Sequence, residues 1–167
     1  KNKHMLGSII GDIIGSRFEL NPITSKSFNL FDNSCRFTDD TVLTVAIAEA
    51  LLAKKDYKSK VLDYGLKYHN KGYGPGFIRW VDSKGKTQGH SYGHGSAMRI
   101  AAVGFYFETK EKVLEQAKKA VEMTHNHPEG IKGAQAIAMA IFLARNGYSK
   151  EEIKFEISNE FQYKFNQ

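Results

Sequence analysis

Apolar side chains recur at intervals of three and four residues along most of the chain, which is the spacing of one face of an α-helix. The run from Val42 to Ala53 differs, because Glu49 is its only charged residue, and it predicts a helix buried nearly all round. No alternating strand pattern of useful length and no internal repeat occurs. The sequence therefore predicts an all-α fold, a compact multi-helix bundle forming a single domain over residues 1–167.

Residues with capping chemistry stand at the ends of the predicted helices. Ser59 and Thr109 each precede an apolar helical pattern, and Ser149 opens a capping-box sequence. Pro128 suits the first turn of a helix, and Gly147 suits the residue just past one. These residues predict where the later helices begin and end.

Two features distinguish the first forty residues. Gly7, Gly11 and Gly15 recur at every fourth position of a predicted helix over residues 6–14, at a cost of about 1 kcal/mol each relative to alanine. We therefore expect a helix or a ligand to approach this backbone closely, with helix packing favoured. Residues 20–36 are polar and irregular, and predict a long loop.

Composition and charge exclude several classes of protein. The net charge is +6, yet the lysines are scattered and not interleaved with aromatic residues, so we expect no nucleic-acid partner. No apolar run is long enough to cross a membrane, so no membrane partner is expected. Cys35 is the only cysteine, which favours a reducing compartment, and a cytoplasmic location is the expectation.

Two adjacent carboxylates, Asp39 and Asp40, stand where the predicted loop becomes the buried helix. Their repulsion would be relieved by a hard divalent cation such as Mg²⁺, and Thr38 adds a neutral oxygen beside them. The alternative is a plain helix start, since Thr is a common N-cap and acidic residues suit the first turn. The stretch taken by itself favours the plain helix start.

A glycine-rich segment covers residues 85–96 and is followed by an apolar run predicted to be helical over residues 97–107. A glycine-rich loop that enters a helix offers free N–H groups and a positive dipole end, which suits a phosphate. No strand precedes it, so the Rossmann and P-loop motifs do not apply. A plain flexible connector is an equally weighted alternative.

The pair His125 and His127 invites a zinc hypothesis, with a zinc hydrolase as the corresponding activity. The pair falls in a junction between two predicted helices, and no cysteine or further histidine pair completes a tetrahedral set. A hydrogen bond from a histidine to a ligand or to a helix end is the favoured interpretation.

Four segments, in this order, resemble the ADP-ribosylglycohydrolase family, an all-helical group. They are Gly-Asp-Ile-Ile-Gly-Ser-Arg-Phe-Glu at residues 11–19, Phe-Thr-Asp-Asp-Thr at 37–41, Ser-Tyr-Gly-His-Gly-Ser-Ala-Met-Arg at 91–99, and the stretch 124–134. Each segment is weak alone, whereas the ordered set covers most of the chain. The resemblance implies hydrolysis of an ADP-ribosyl bond, with release of ADP-ribose from an ADP-ribosylated protein or an ADP-ribose-containing small molecule.

The resemblance also implies a centre of two Mg²⁺ (or Mn²⁺) ions. It assigns metal ligation to Thr38, Asp39 and Asp40, and it places Glu19 at the site, where this residue can also touch a metal. The candidate catalytic carboxylates are Glu19, Asp39 and Asp40. The segment implied to wrap the diphosphate and ribose, together with a contacting histidine, comprises Gly89, His90, Ser91, Tyr92, Gly93, His94, Gly95 and His125.

The chain departs from the family pattern in two places. His94 stands where the family commonly has Asn. A segment of the Gly-Gly-Asp-x-Asp-Thr type, which supplies the remaining metal ligands in the family, does not occur, so the expected fold lacks its C-terminal helices. The chain is then an N-terminal fragment, a partner of another chain that completes the site, or a naturally reduced form. We expect these residues alone to bind Mg²⁺ poorly, and a binding module without turnover is the alternative function.

Overall fold

A computed structural model describes residues 5–165 of the chain. Within that range the regular structure is helical, without a strand, and an isolated antiparallel bridge joins His90 to His125. The α-helices are α1 (Leu6–Gly15), α2 (Asp39–Leu52), α3 (Tyr57–Lys67), α4 (Pro75–Asp82), α5 (Ala101–Tyr106), α6 (Lys110–Val121), α7 (Pro128–Arg145) and α8 (Lys150–Phe161). The all-α prediction is confirmed.

The core lies around two long helices. Helix α2 packs against α1, α3 and α5, and α7 packs against α5, α6 and α8. Short α5 lies between the two long helices, and its Gly104 permits close contact, since a Cβ there would lie 2.5 Å from the carbonyl oxygen of Ala138 on α7. The prediction that α2 is a buried helix is confirmed for most of its length, but the C-terminal end departs from it, because Leu52 is 77% exposed and the helix ends there.

Most of the predicted caps are observed. Thr109 and Ser149 accept hydrogen bonds from the first turns of α6 and α8, and the capping box of Ser149 is complete. Pro128 lies in the first turn of α7, and Gly147 follows its end with a φ of +91°. The Ser59 prediction is wrong, because α3 begins earlier.

The N-cap of α3 is Asp56, whose carboxylate accepts the backbone N–H of Ser59 at 2.9 Å. A carboxylate and a hydroxyl three residues apart are both competent caps, so sequence alone does not separate them.

The helix predicted over residues 97–107 is much shorter than expected. A 3₁₀ turn (His94–Ser96) and an irregular turn come first, and α5 begins only at Ala101. The hydroxyl of Ser96 donates to the carbonyl of Gly130 at 2.7 Å, a contact that holds the turn against α7. The glycine-rich segment therefore does not lead directly into a helix N-terminus.

The close helix packing favoured at the α1 glycines is not observed. Within the described part of the chain, an added Cβ at Gly7, Gly11 or Gly15 would meet nothing within 4 Å. Helix α1 contains no fully buried residue, and Leu6 is 57% exposed. The long loop predicted over residues 20–36 is confirmed. Among the helices described, none is long and apolar enough to cross a membrane.

Candidate functional site

A cleft of about 950 Å³ opens at the N-terminal end of α2. Its lining includes three carboxylates, from Glu19, Asp39 and Asp40, together with the glycine-rich loop and His125. The members of the predicted site that line the cleft are Glu19, Asp39, Asp40, Gly89, His90, Ser91, Gly93, His94, Gly95 and His125. Segments far apart in the sequence are thus brought together in one depression.

Asp12 on α1 fixes the start of α2. Its carboxylate accepts the backbone N–H of Thr38 at 2.9 Å and the Thr38 hydroxyl at 2.6 Å. It also accepts the backbone N–H of Thr41 at 3.2 Å and the Thr41 hydroxyl. Four donors on one carboxylate tie the first predicted motif to the second, so both belong to one structural unit.

The hydroxyl of Thr38 is occupied by this arrangement. It donates to Asp12 and accepts the N–H of Asp40 at 3.3 Å, as an N-cap does. The residue is buried and does not line the cleft. The structure thus gives Thr38 a capping role, and metal ligation by Thr38 stays a prediction.

Asp39 and Asp40 are sheltered carboxylates that repel each other. Burial, together with the charges of Asp40, Glu19 and Asp12, raises the pKa of Asp39 from an ordinary value of 3.8 to about 6. Burial and the Asp12 charge also raise the pKa of Asp40, while His94 acts in the opposite direction. Among residues 5–165, burial and the neighbouring acids thus outweigh the opposing effect of His94 on this pair, while Asp39 in turn raises the pKa of Arg99.

The glycine-rich loop is held by backbone pairing with the junction that precedes α7. Gly89 donates its N–H to Met123 and accepts from Asn126 at 3.0 Å, and Ser91 donates to Thr124. At Gly89 a Cβ would lie 2.2 Å from the carbonyl oxygen of Thr124, so only glycine fits this pairing. The loop is a fixed wall of the cleft, unlike the flexible connector considered above.

A buried polar group formed by Arg99, Thr124 and His125 also lines the cleft. Arg99 is 0% exposed, and its Nη2 donates to the Thr124 hydroxyl at 2.6 Å. The Thr124 oxygen lies 2.9 Å from Nδ1 of His125. Burial lowers the pKa of His125 to about 4, with smaller contributions from Arg99 and His94, so its imidazole is neutral at pH 7.

Two residues singled out in the sequence lie away from the cleft wall. Tyr92 is 74% exposed, does not line the cleft and has its ring centre 5.3 Å from that of His127. His127 is the N-cap of α7, and its Nδ1 accepts the N–H of Glu129 at 3.2 Å. Ligand binding by Tyr92 stays a prediction. Of the two histidines in the zinc hypothesis, His125 has its Nδ1 beside the Thr124 hydroxyl, whereas His127 has its Nδ1 bonded to the N–H of Glu129.

Asp12 and Arg99 lie within the segments 11–19 and 91–99, but the sequence patterns predicted no role for either residue. Each is the only charged residue in an apolar stretch, residues 5–16 for Asp12 and 97–107 for Arg99. A lone charge in a run predicted to be buried requires a partner, which is a signal the sequence does carry. The identity of that partner depends on contacts 24–29 residues away in the sequence.

Comparison with known proteins agrees with this combination of helical fold and cleft. The family model described as ADP-ribosylglycohydrolase matches residues 3–163. The chain therefore belongs to the ADP-ribosylglycohydrolase family, as the four segments predicted.

The similar proteins include vertebrate enzymes named ADP-ribosylhydrolase ARH3. The Mus musculus protein is 27% identical over 89% of this chain and 50% of its own length, and the Homo sapiens protein is 26% identical with the same coverage. The Gallus gallus protein is 27% identical over 72% of this chain and 38% of its own. The chain spans about half the length of the first two of these relatives.

Proposed function

We propose that the complete protein hydrolyses an ADP-ribosyl bond and releases ADP-ribose from a modified protein side chain or a small acceptor. The observation that carries the proposal is that carboxylates, a glycine-rich loop and a neutral histidine line a single cleft. Membership of the ADP-ribosylglycohydrolase family supports the reaction class. The lone Cys35 also supports our proposal of a cytoplasmic, reducing environment.

We propose further that the carboxylate end of the cleft holds Mg²⁺ or Mn²⁺. The donors suit such ions, because Asp39 and Asp40 are sheltered oxygen ligands whose repulsion a hard cation would relieve. Glu19 lines the same cleft and is the third candidate ligand. Two bound ions would supply Lewis acidity toward the ribose hydroxyls and toward water.

This chain alone would hold the ions incompletely. In the range 5–165, no three His, Cys, Asp or Glu side chains are close enough together to bind one ion. Water molecules and oxygen ligands from outside this chain would have to complete each shell, as the reluctance of Mg²⁺ to lose its waters allows. We therefore propose that tight metal binding requires association with the segment or chain that completes the fold.

The chain's own residues would divide the remaining work. Cleavage at the anomeric carbon passes through a transition state resembling an oxocarbenium ion, and a carboxylate must exchange a proton with the leaving group or with water. Glu19 is our candidate for that exchange, because it lines the cleft beside Asp39 and Asp40. The backbone of the loop and His125 would orient the diphosphate and ribose.

The direct test is release of free ADP-ribose from proteins modified through arginine, serine or acyl linkages, using the full-length protein with Mg²⁺ and then with a chelator. Asp39→Asn and Asp40→Asn should abolish the metal-dependent release. Asp63→Asn, which changes an exposed acid on α3 outside the cleft, is the matched control and should retain it. The absence of release from every linkage would contradict the proposed hydrolysis.

One observation favours a second candidate function, a module that binds ADP-ribose without turnover. The described residues do not provide a metal-binding group of three, whereas the loop wall of the cleft is fully formed. Calorimetry with ADP-ribose, performed beside the turnover assay, separates the two functions. Binding with no turnover in the full-length protein would favour the module.

A further inference from the structure

Arg99 is a buried cation with few partners. Its Nη2 donates to Thr124, and its Nε and Nη1 have no hydrogen-bond partner among residues 5–165. Burial lowers the pKa of Arg99 to about 10, which still leaves the guanidinium charged at pH 7. A buried charge of this kind is costly, and two interactions offset part of the cost: the charge of Asp39, which raises the pKa of Arg99, and the short hydrogen bond to Thr124.

That contact determines how the Thr124 hydroxyl is used. A guanidinium is only a donor, so the 2.6 Å bond from Arg99 takes one lone pair of the Thr124 oxygen. The hydroxyl proton then has two neighbouring acceptors, Nδ1 of His125 at 2.9 Å and the carbonyl of Val121 at 3.3 Å.

The carbonyl of Val121 is the poorer of these two acceptors. It already accepts the backbone N–H of Thr124 at 3.0 Å and that of His125 at 2.9 Å, which fills both of its lone pairs. It is also farther away. In addition, a hydroxyl that accepts from a cation becomes a stronger donor. The Thr124 proton is therefore directed to Nδ1 of His125.

We infer that Arg99 is a positioning residue that acts through the Thr124 hydroxyl to hold His125 in the tautomer with its proton on Nε2. Nδ1 then accepts, and Nε2 is left as a donor. Nε2 lies beside the loop, since a Cβ added at Gly95 would be 3.0 Å from it. Within the described chain, Nε2 has no hydrogen-bond partner of its own.

The consequence is a fixed N–H donor, which is what an oxygen of phosphate or ribose requires. This use of the donor rests on the proposed function, whereas the tautomer is a property of the protein without ligand. The neutral state of His125 at pH 7 agrees with a single tautomer. The cleft would thus present one defined imidazole edge to a ligand instead of two interconverting ones.

The test is a long-range ¹H–¹⁵N correlation spectrum of the ligand-free full-length protein, labelled with ¹⁵N-histidine, at pH 7. His125 should show a protonated Nε2 and a pyridine-like, hydrogen-bonded Nδ1. Arg99→Met and Thr124→Val should each shift both nitrogens toward a tautomer mixture. Arg99→Lys and Thr124→Ser, which keep a donor and a hydroxyl at these positions, should restore the original pattern.

Two results would overturn the inference. The first is a protonated Nδ1 in the unaltered protein, a measurement that does not depend on any variant folding. The second is an unchanged His125 pattern in folded Arg99→Met and Thr124→Val, which would show that another contact selects the tautomer. The tautomer and the reaction are tested separately. An unexpected tautomer would not contradict the proposed hydrolysis, and failed turnover with the expected tautomer would contradict only the proposed function.

Discussion

Replacement of Asp39 by asparagine should stabilise the metal-free protein at pH 7. The ionised Asp39 carboxylate lies in a sheltered position beside Asp40, and burial followed by repulsion raises its pKa to about 6. An amide of nearly the same shape removes that charge. It also leaves the backbone N–H of Asp39, which donates to Lys71 at 2.8 Å, unaffected.

The sign and magnitude follow from the shifted pKa. Because the pKa of Asp39 in the folded protein, about 6, is above the ordinary value of 3.8, the folded state binds this proton more tightly. The contribution of Asp39 to stability is therefore most favourable below pH 4 and is lost as the pH rises through about 6. Each pKa unit is worth about 1.4 kcal/mol, so the full cost approaches ~3 kcal/mol. Partial solvent exposure reduces the expected gain of the variant to about 1–2 kcal/mol.

Urea unfolding of the full-length protein in chelator, measured at several pH values from 4 to 8, tests this prediction. The advantage of Asp39→Asn should grow through the window from pH 4 to pH 6 and then level off. Asp40, whose pKa is also raised, leaves part of the slope in the variant. The matched control is Glu111→Gln in the first turn of α6, which should show no gain because that acid is not part of the cleft.

The opposite result would refute the reasoning. If Asp39→Asn loses more than about 1 kcal/mol at pH 7 in chelator, the carboxylate acts mainly as a favourable charge at the helix N-terminus. Added Mg²⁺ gives a second comparison with a separate readout. It should stabilise the unaltered protein more than the variant if Asp39 is a ligand.

Three other substitutions test contacts of the loop, of the α7 N-cap and of the helix packing. Gly89→Ala should lower both the melting temperature and the affinity for ADP-ribose in calorimetry, because its Cβ would lie 2.2 Å from the carbonyl oxygen of Thr124. Gly133→Ala, whose Cβ would meet nothing within 4 Å and which lies outside the cleft, should lower neither. His127→Ala should cost about 1 kcal/mol in urea unfolding through loss of the α7 N-cap, with an unchanged affinity for ADP-ribose. Gly104→Ala should destabilise by about 1–3 kcal/mol, since its Cβ would lie 2.5 Å from a carbonyl oxygen of α7, and an unchanged melting temperature would contradict that packing.

Much of the fold could be predicted because its causes are local. The all-apolar run of α2, the cap at Thr109 and the capping box at Ser149 each depend on residues within a few positions of one another. The short α5 could not be predicted in this way. Its beginning depends on the bond from Ser96 to Gly130, 34 residues later, which no periodicity reveals.

In the candidate site, too, the features set by local sequence could be predicted and those set by distant contacts could not. The resemblance named twelve site residues, and ten of these line one cleft, although their roles remain predictions. The capping role of Thr38 and the buried position of Arg99 depend on partners that are distant in sequence, Asp12 and Thr124. Sequence patterns show that a lone buried charge needs a partner, but not which residue the fold supplies.

Asp12 differs from Asp39 and Asp40 in how its charge is compensated by hydrogen bonds. Asp12 meets four donors, so its charge is used to hold the helix start together. Asp39 and Asp40 lack such compensation, as their raised pKa values record. The buried cation of the cleft, Arg99, donates its short hydrogen bond to Thr124, and the charge of Asp39 raises the pKa of its guanidinium. Two sheltered carboxylates and a loop with N–H donors in the same cleft therefore favour a ligand that binds as an anion together with a cation.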